Sequence, residues 1–228
     1  MVVVAGYDPI KMVDIPLDEL KAIGRTVMPP PADPGTGPLS ALHVACRDGD
    51  AEQVQQLLKE DDASKVLEKF AKFGWTPLMF AARNGHAAIC TELVFAGARL
   101  DARDHSGACA LHLAALKGSV KTIEALLDLG SSIDPTNKMG QTPLHVAAMN
   151  GCLPAAKCLL KRGCSPKSKD GPLCDGMLPE EVALSFHEYE MADFLKKTLR
   201  QFYVDVQRAS VSSDPKAKAW LTLMMSSR

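Results

Sequence analysis

The sequence predicts an all-α protein built from about five stacked helix-turn-helix units. Three observations predict it: a residue pattern recurs every 33 residues, each copy holds two short segments with helical spacing of apolar residues, and glycine ends these segments. The 228 residues are 46% apolar and 23% charged, with a formal net charge of −1. This composition is typical of a globular chain without a broad positive field for nucleic acid.

The repeat is clearest in the middle of the chain. Gly74, Gly107 and Gly140 each open a copy with a leucine four residues later, two alanines seven and eight residues later, and a glycine eleven residues later. Looser copies lie on either side, around Ser40 and Gly176. The alanine of each outer copy is 36 residues from its neighbour's, so we infer that each outer copy carries an insertion of three residues.

Each copy predicts two antiparallel helices. In the fourth copy Pro143 fits a first helical turn, because its missing N–H has no intrahelical partner there in any case. Leu144 and the two following alanines form a buried stripe, and Gly151 ends the helix in the left-handed conformation that glycine adopts without strain. The apolar residues of the second helix are Leu153, Ala156, Leu159 and Leu160.

Together with the 33-residue period, Thr76-Pro77-Leu78, Thr142-Pro143-Leu144-His145 and the pair Gly97-Ala98 resemble the ankyrin repeat. The resemblance covers residues 38–198 and implies an all-α ankyrin-repeat solenoid with short β-hairpin fingers between its units. Its outer units are expected to act as caps with a polar outer face. Its units are predicted near residues 38–70, 71–103, 104–136, 137–169 and 170–198.

The two ends fall outside this pattern. Residues 1–37 hold six of the fifteen prolines, which predicts an extended N-terminal tail. Residues 199–228 predict a C-terminal helical extension, because a helix starting near Glu188 runs beyond repeat length and caps the stack. Asp214-Pro215 is the start signal of a further helix that carries Trp220. Whether these tails bind partners or fold back on the repeats is left open.

Targeting signals are not evident in the chain. The first twenty residues lack the charge pattern of a signal or transit peptide, and no apolar stretch is long enough to span a bilayer. The seven cysteines include no C-x-x-C pair, so we expect reduced thiols. These features favour a cytoplasmic location and leave the nucleus open.

A histidine recurs at one repeat position, as His43, His112 and His145. The resemblance implies that it hydrogen-bonds within its own turn and ties adjacent units together, and a metal ligand is the less favoured alternative. The six-residue spacing of Cys152, Cys158 and Cys164 does not place them on one helical face. The sequence also lacks nucleotide-binding, metalloprotease and hydrolase motifs. We therefore predict no enzyme, no catalytic residue, no cofactor and no metal.

The resemblance implies that partner-binding residues lie at the finger tips and on the groove side of the first helices. Projected onto this chain, and with one residue of the C-terminal extension, they are Phe73, Trp75, Arg83, His105, Leu116, Lys117, Met139, Gln141, Met149, Asn150 and Trp220. The apolar members, joined by Met177, predict a discontinuous stripe along the groove, the composition of a protein-binding hot spot. For Trp75→Ala we expect weaker partner binding and an almost unchanged melting temperature.

A basic run offers a second candidate surface. No acidic residue lies between positions 152 and 169, and the cations there are Lys157, Lys161, Arg162, Lys167 and Lys169. A solvated face is the plainer interpretation, and an acidic partner, a phosphopeptide or RNA is the sharper one.

The function predicted from these features is a non-catalytic protein–protein scaffold or adaptor, without a small-molecule substrate. In the version we favour, it is a structural subunit of a larger cytoplasmic assembly, cytoskeletal or axonemal. The alternative is a reversible regulator or inhibitor of an enzyme or transcription factor. An RNA- or phosphate-associated module ranks lower, because only the basic run supports it.

Overall fold

The computed structural model describes residues 39–60, 67, 71, 74–169, 171 and 176–211. The predicted N-terminal tail, Phe73 and Trp220 lie outside the described residues. A lengthened second helix expected over residues 62–72 also lies outside them, apart from Leu67 and Ala71, which are both buried.

Ten helices of seven residues or more occur in the described part of the chain and form five antiparallel pairs. The first members of the pairs, the inner helices, are α1 (Ala41–Asp48), α3 (Pro77–Asn84), α5 (Ala110–Lys117), α7 (Pro143–Met149) and α9 (Pro179–Ser185). The second members, the outer helices, are α2 (Ala51–Glu60), α4 (Ala87–Phe95), α6 (Val120–Asp128), α8 (Leu153–Lys161) and α10 (Tyr189–Val211). The predicted solenoid of five helix pairs is confirmed.

The helices pack as a linear stack. Each inner helix packs on the inner helix of the next pair, from α1 through α9, and the outer helices α4, α6 and α8 follow each other in the same way. Close packing between the described helices is confined to members of one pair and of neighbouring pairs. The alanines that recur on the inner helices are completely buried: Ala81, Ala82, Ala114, Ala115, Ala147 and Ala148. Their small size lets the inner helices approach closely.

Helix ends follow the predicted signals. Thr76 caps α3, its hydroxyl oxygen accepting a hydrogen bond from the Met79 N–H at 3.4 Å, and Pro77 occupies the first turn. Gly118 ends α5 with a φ of 76°, a value that an L side chain strains to reach. The equivalent residue of the fifth unit is His187, which alone among the described non-glycine residues has a positive φ, of 64°. The last unit therefore keeps the turn at a steric cost of about 1 kcal/mol.

The fingers differ from the prediction. The described residues contain no β-strand, and each described finger is a single turn closed by two backbone hydrogen bonds. In the third unit the Asp104 N–H donates to the Ala108 carbonyl and the Gly107 N–H donates to the Asp104 carbonyl, both at 2.9 Å. The segments on either side of the turn are too short for a ladder. None of the described helices is long and apolar enough to cross a membrane.

The C-terminal cap is longer than the other outer helices. Helix α10 has 23 residues and passes without a break through the predicted boundary between residues 198 and 199. Its first turns are buried against the stack through Met191, Ala192 and Leu195. As far as Val211, the predicted extension is therefore a continuation of the fifth unit's outer helix.

The recurring histidine links neighbouring units. His112 accepts a hydrogen bond at Nδ1 from the N–H of Cys109 in its own helix cap, at 3.2 Å. Its Nε2–H donates to the Gln141 carbonyl of the next unit at 3.0 Å. His145 makes the same pair of contacts, with the Thr142 N–H at 3.1 Å and the Met177 carbonyl at 3.2 Å. The structural role implied by the resemblance is confirmed for both residues.

These contacts require the neutral imidazole, because a proton on Nδ1 would displace the backbone N–H that binds there. Burial also opposes the charged form and lowers the pKa of His112 and of His145 to about 4. In the unfolded chain both groups titrate at their ordinary pKa of 6.5. The unfolded state therefore binds protons first as the pH falls, and the folded state loses free energy relative to it.

We expect the free energy of unfolding to fall between about pH 6.5 and pH 4, by roughly 1–2 kcal/mol per histidine at pH 5, and the loss to level off below pH 4. Urea unfolding at several pH values measures it. The variant with His112→Gln and His145→Gln should lack this part of the slope, because glutamine keeps the capping contact without titrating. His105→Gln, at an exposed site, is the control. Equal slopes in wild type and double variant would contradict the assignment.

Candidate protein-binding surface

The finger turns of the third and fourth units are held by an Asp and an Asn at their first positions. In the third unit Asp104 Oδ1 accepts hydrogen bonds from the N–H groups of Ser106 at 2.9 Å and Ala108 at 2.8 Å. In the fourth unit Asn137 Oδ1 accepts from the N–H groups of Met139 and Gln141, both at 2.9 Å. Side chains of this type fold back on their own backbone, which fixes the turn locally.

Adjacent fingers are also tied to each other. The Lys138 N–H donates to the Ser106 carbonyl at 2.9 Å, and the Gly171 N–H donates to the Met139 carbonyl at 2.7 Å. Arg103 donates from Nη1 to the Gly107 carbonyl of its own finger and to the Thr136 carbonyl of the next, both at 3.0 Å. The finger tips therefore form a row with fixed spacing.

The exposure predicted for Trp75 is wrong. Its side chain is only 6% exposed and packs edge-on against Phe80, with ring centroids 5.2 Å apart. The indole Nε1–H donates to Asp104 Oδ2 of the next finger at 3.0 Å, so the residue joins the second unit to the third. A partner protein cannot reach this indole without disturbing the core.

Three further residues of the predicted partner-binding set are buried. Leu116 is 9% exposed, Met149 is 2% exposed and Gln141 is 3% exposed. Leu116 and Met149 lie on α5 and α7, which have inner helices packed on both sides, so the neighbours cover even the side that faces the groove. The predicted apolar stripe is therefore largely part of the core.

The remaining accessible positions are mainly polar and basic. We define the groove surface as the exposed or half-buried residues of the inner helix ends and finger tips, namely Arg47, Arg83, His105, Lys117, Lys138, Met139 and Asn150. Arg47 of this set pairs with the adjacent Asp48, which lies outside the set, at 2.7 Å. Because several of the apolar candidates are buried in the core, the residues that remain accessible in the groove carry an excess of positive charge.

Several exposed aromatic and aliphatic side chains lie outside the predicted set. Phe95, at the end of α4, is 79% exposed, and Tyr189 and Tyr203 on α10 are 65% and 53% exposed. Leu184 of α9 is 46% exposed, although the equivalent residues of the other units are completely buried. In the last unit, no following unit covers the side chain at this position. The repeat frame, applied to the last unit, could have identified Leu184 from the sequence.

The basic run is partly used in packing. The Lys157 ammonium lies 5.5 Å from the centre of the Phe194 ring, and the Lys167 ammonium lies 5.8 Å from that of Phe202. Arg162 forms an ion pair with Asp128 of the preceding outer helix. These contacts connect α8 and the loop after it to their neighbours, so a large part of this positive charge has protein partners.

The buried cysteines are poor nucleophiles. Burial raises the pKa of the Cys46 and Cys90 thiols to about 12, so the reactive thiolate is scarce at neutral pH. Among the residues that the structure describes, no three His, Cys, Asp or Glu side chains are placed to hold a metal ion.

Comparison with known proteins agrees with the fold. A family model of three ankyrin repeats matches four overlapping stretches, at residues 23–104, 42–139, 89–170 and 111–205. Inversin of Mus musculus is 36% identical over 85 residues, which are 37% of this chain and 8% of inversin.

Two other relatives match similar lengths. The phosphate system positive regulatory protein PHO81 of Saccharomyces cerevisiae is 36% identical over 70 residues, 30% of this chain and 6% of that protein. The human transient receptor potential cation channel subfamily A member 1 is 38% identical over 79 residues, 35% of this chain and 7% of the channel. The chain thus aligns with less than a tenth of each of these proteins.

We expect Trp75→Ala to lower the free energy of unfolding by about 3–5 kcal/mol, because it leaves a large cavity and removes the partner of Asp104. Urea unfolding followed by circular dichroism measures it. The control is His105→Ala at the exposed neighbouring tip, which should stay within about 0.5 kcal/mol of wild type. An unchanged midpoint for Trp75→Ala would place the indole outside the core.

A pair of glycines tests the contact between fingers. Gly107 and Gly97 both have a positive φ, of 79° and 103°. A Cβ at Gly107 would lie 2.8 Å from the Lys138 backbone nitrogen, whereas a Cβ at Gly97 would have no heavy atom within 4 Å. Gly107→Ala should therefore destabilise the fold by about 1–2 kcal/mol more than Gly97→Ala in the same unfolding experiment. Equal losses would mean that the fingers can separate freely.

Proposed function

The chain belongs to the ankyrin-repeat family, whose repeats are protein–protein interaction modules and generally non-catalytic, and from this premise we propose that it is an adaptor that binds an acidic segment of a partner protein in its groove. The observation that carries the proposal is the excess of cations on the groove surface. Arg83, Lys117 and Lys138 come from three successive units, so one extended segment could contact all of them.

The geometry also supports fast recognition. The inner helices that carry Arg83 and Lys117 pack in a fixed stack, and the finger tip that carries Lys138 is tied to its neighbour. The cations therefore keep a fixed spacing before a partner arrives, and less ordering entropy is lost on binding. A cluster of like charges attracts an oppositely charged segment during the encounter. The half-buried Met139 adds a flexible apolar contact beside these charges.

A polar and charged groove favours reversible contact over permanent burial, since obligate interfaces are larger and more apolar. We therefore rank a reversible adaptor or regulator above the stable structural subunit predicted from the sequence. One observation supports the stable-assembly version: the side chains of Phe95, Tyr189 and Tyr203 are exposed away from the groove. Membership of a cytoskeletal or axonemal assembly is a proposal that depends on that version. A cytoplasmic location is a separate proposal, supported by the reduced thiols expected from the sequence.

Charge reversal tests the groove. The variant with Arg83→Glu and Lys117→Glu should retain partners captured from a lysate at least about tenfold less well than wild type, because two attractions become repulsions. Quantitative mass spectrometry of proteins held on the immobilised chain measures this. The matched control is Lys59→Glu with Lys121→Glu, the same change of charge on exposed positions of the outer helices.

Raising the salt concentration should weaken the binding of the same partners to the wild-type chain, because salt screens exposed charges. Equal losses in the groove variant and the control variant would show that net charge, rather than the groove, attracts the partners. Unchanged retention in the groove variant would exclude the groove as the binding surface.

A further inference from the structure

Helix α10 carries a stripe of residues that runs past the end of its neighbour α8. It has 23 residues against 9 for α8, so it is about 21 Å longer. The members of this α10 stripe are Phe194, Lys197, Thr198, Gln201, Phe202 and Asp205. Their spacing of three and four residues is the one with which a helix packs against another helix. With the 36-residue offset between the last two units, the end of α8 at Lys161 corresponds to Lys197, so the second half of the stripe lies beyond α8.

A cleft lies between the α10 stripe and the end of α8. Helix α10 packs closely on α9 but less closely on α8 than α8 packs on α6, and a cavity of about 540 Å³ remains there. This volume lies within the roughly 300–1,000 Å³ of ligand-binding clefts. The wall opposite the stripe includes Leu160, Cys164 and Pro166. The cleft is open to solvent, because Gly163 and Gln201, which also line it, are exposed.

The charges around the cleft are mainly positive. The ammonium groups of Lys157 and Lys167 lie 5.5 and 5.8 Å from the centres of the Phe194 and Phe202 rings. A contact with a ring leaves the net charge of an ammonium group intact, whereas an ion pair cancels it. The chain that forms this wall, from residue 153 to residue 169, contains no acidic residue.

Two acidic side chains of α10 reduce this excess only in part. Asp193 pairs with Lys197 at 2.6 Å, so these two charges cancel. Asp205 lines the far end of the cleft, where its Oδ1 accepts a hydrogen bond from Gln201 Nε2 at 2.8 Å. The cleft therefore combines aromatic and aliphatic walls with a positive rim.

We propose that this cleft binds a short amphipathic helix of a partner protein, whose apolar face carries acidic residues at its edges. A helix is the fitting shape because the α10 stripe continues the side that faces α8, so the partner helix extends the layer of outer helices. Acidic residues fit because the rim is positive. The site lies among the outer helices, and the proposal does not depend on the function proposed for the groove.

The two phenylalanines set the distance between the anchoring side chains of the partner. Phe194 and Phe202 are eight residues apart on α10, which is a rise of about 12 Å. Two apolar side chains seven residues apart on the partner helix are separated by about 10.5 Å, so each can contact one ring. Acidic residues beside these anchors would then lie near the ammonium groups of Lys157 and Lys167.

A synthetic peptide tests the proposal with the full chain. The probe is a fluorescein-labelled helix of about four turns, with leucines at the spacing of one face and glutamates at the edges of that face. We expect fluorescence anisotropy to give a dissociation constant in the micromolar range. Phe202→Ala and Lys167→Glu should each weaken binding at least about fivefold. The matched controls are Tyr203→Ala and Lys196→Glu, at exposed positions of α10 outside the stripe, and both should bind like the wild type.

Lys167→Glu changes a loop residue, so it remains informative if Phe202→Ala fails to fold. The groove variant with Arg83→Glu and Lys117→Glu should bind the peptide like the wild type. Loss of binding in the groove variant, with none in the cleft variants, would place the peptide in the groove and overturn the proposal. A peptide with lysines in place of the glutamates should bind at least about tenfold more weakly, and equal binding would also overturn it.

Absence of peptide binding by the full chain would overturn the proposal as well. Sedimentation would then distinguish the other occupants of the cleft, since a second copy of the chain produces a dimer and another part of the same chain leaves a monomer.

Discussion

Each unit of this protein depends on the next for the burial of its inner helix. The recurring alanines have no exposed surface because a neighbouring inner helix lies directly against them, and a single pair of helices could not cover them. The neutral histidines set the spacing at two of these junctions, since His112 and His145 each reach a carbonyl of the following unit. The groove, the row of finger tips and the cap on α10 all follow from this dependence on neighbours.

The repeated features of the fold could be predicted from the sequence because they depend on short-range constraints. A proline in a first turn and a glycine at a helix end act within a few residues, and Pro143 and Gly118 do what their positions predict. The exposure of individual side chains could not be predicted in the same way. Trp75 turns inward because Asp104, 29 residues later, accepts its indole N–H, and periodicity contains no information about that direction.

The same limit explains why the accessible groove residues differ from the binding residues predicted from the sequence. Leu116 and Met149 were assigned to a binding stripe because of their repeat position, but close packing of the inner helices leaves little room for a side chain there to reach solvent. Lys117 stays accessible, since a long charged side chain keeps its ammonium in water. Packing thus removes apolar contacts from the groove and leaves its positive charge.

The ties between units lie at different depths. His86 donates to the Arg47 carbonyl between the first two units at an exposed site. The His43 ring, which packs edge-on against Phe80 at the same junction, and the Trp75, His112 and His145 contacts farther along are shielded from water. A pulling force applied between the two ends of the stack would act equally on every junction between units. Water competes most strongly for the exposed tie, so the His86 contact would break before the buried contacts, and the surface of the first junction would loosen while its core still held.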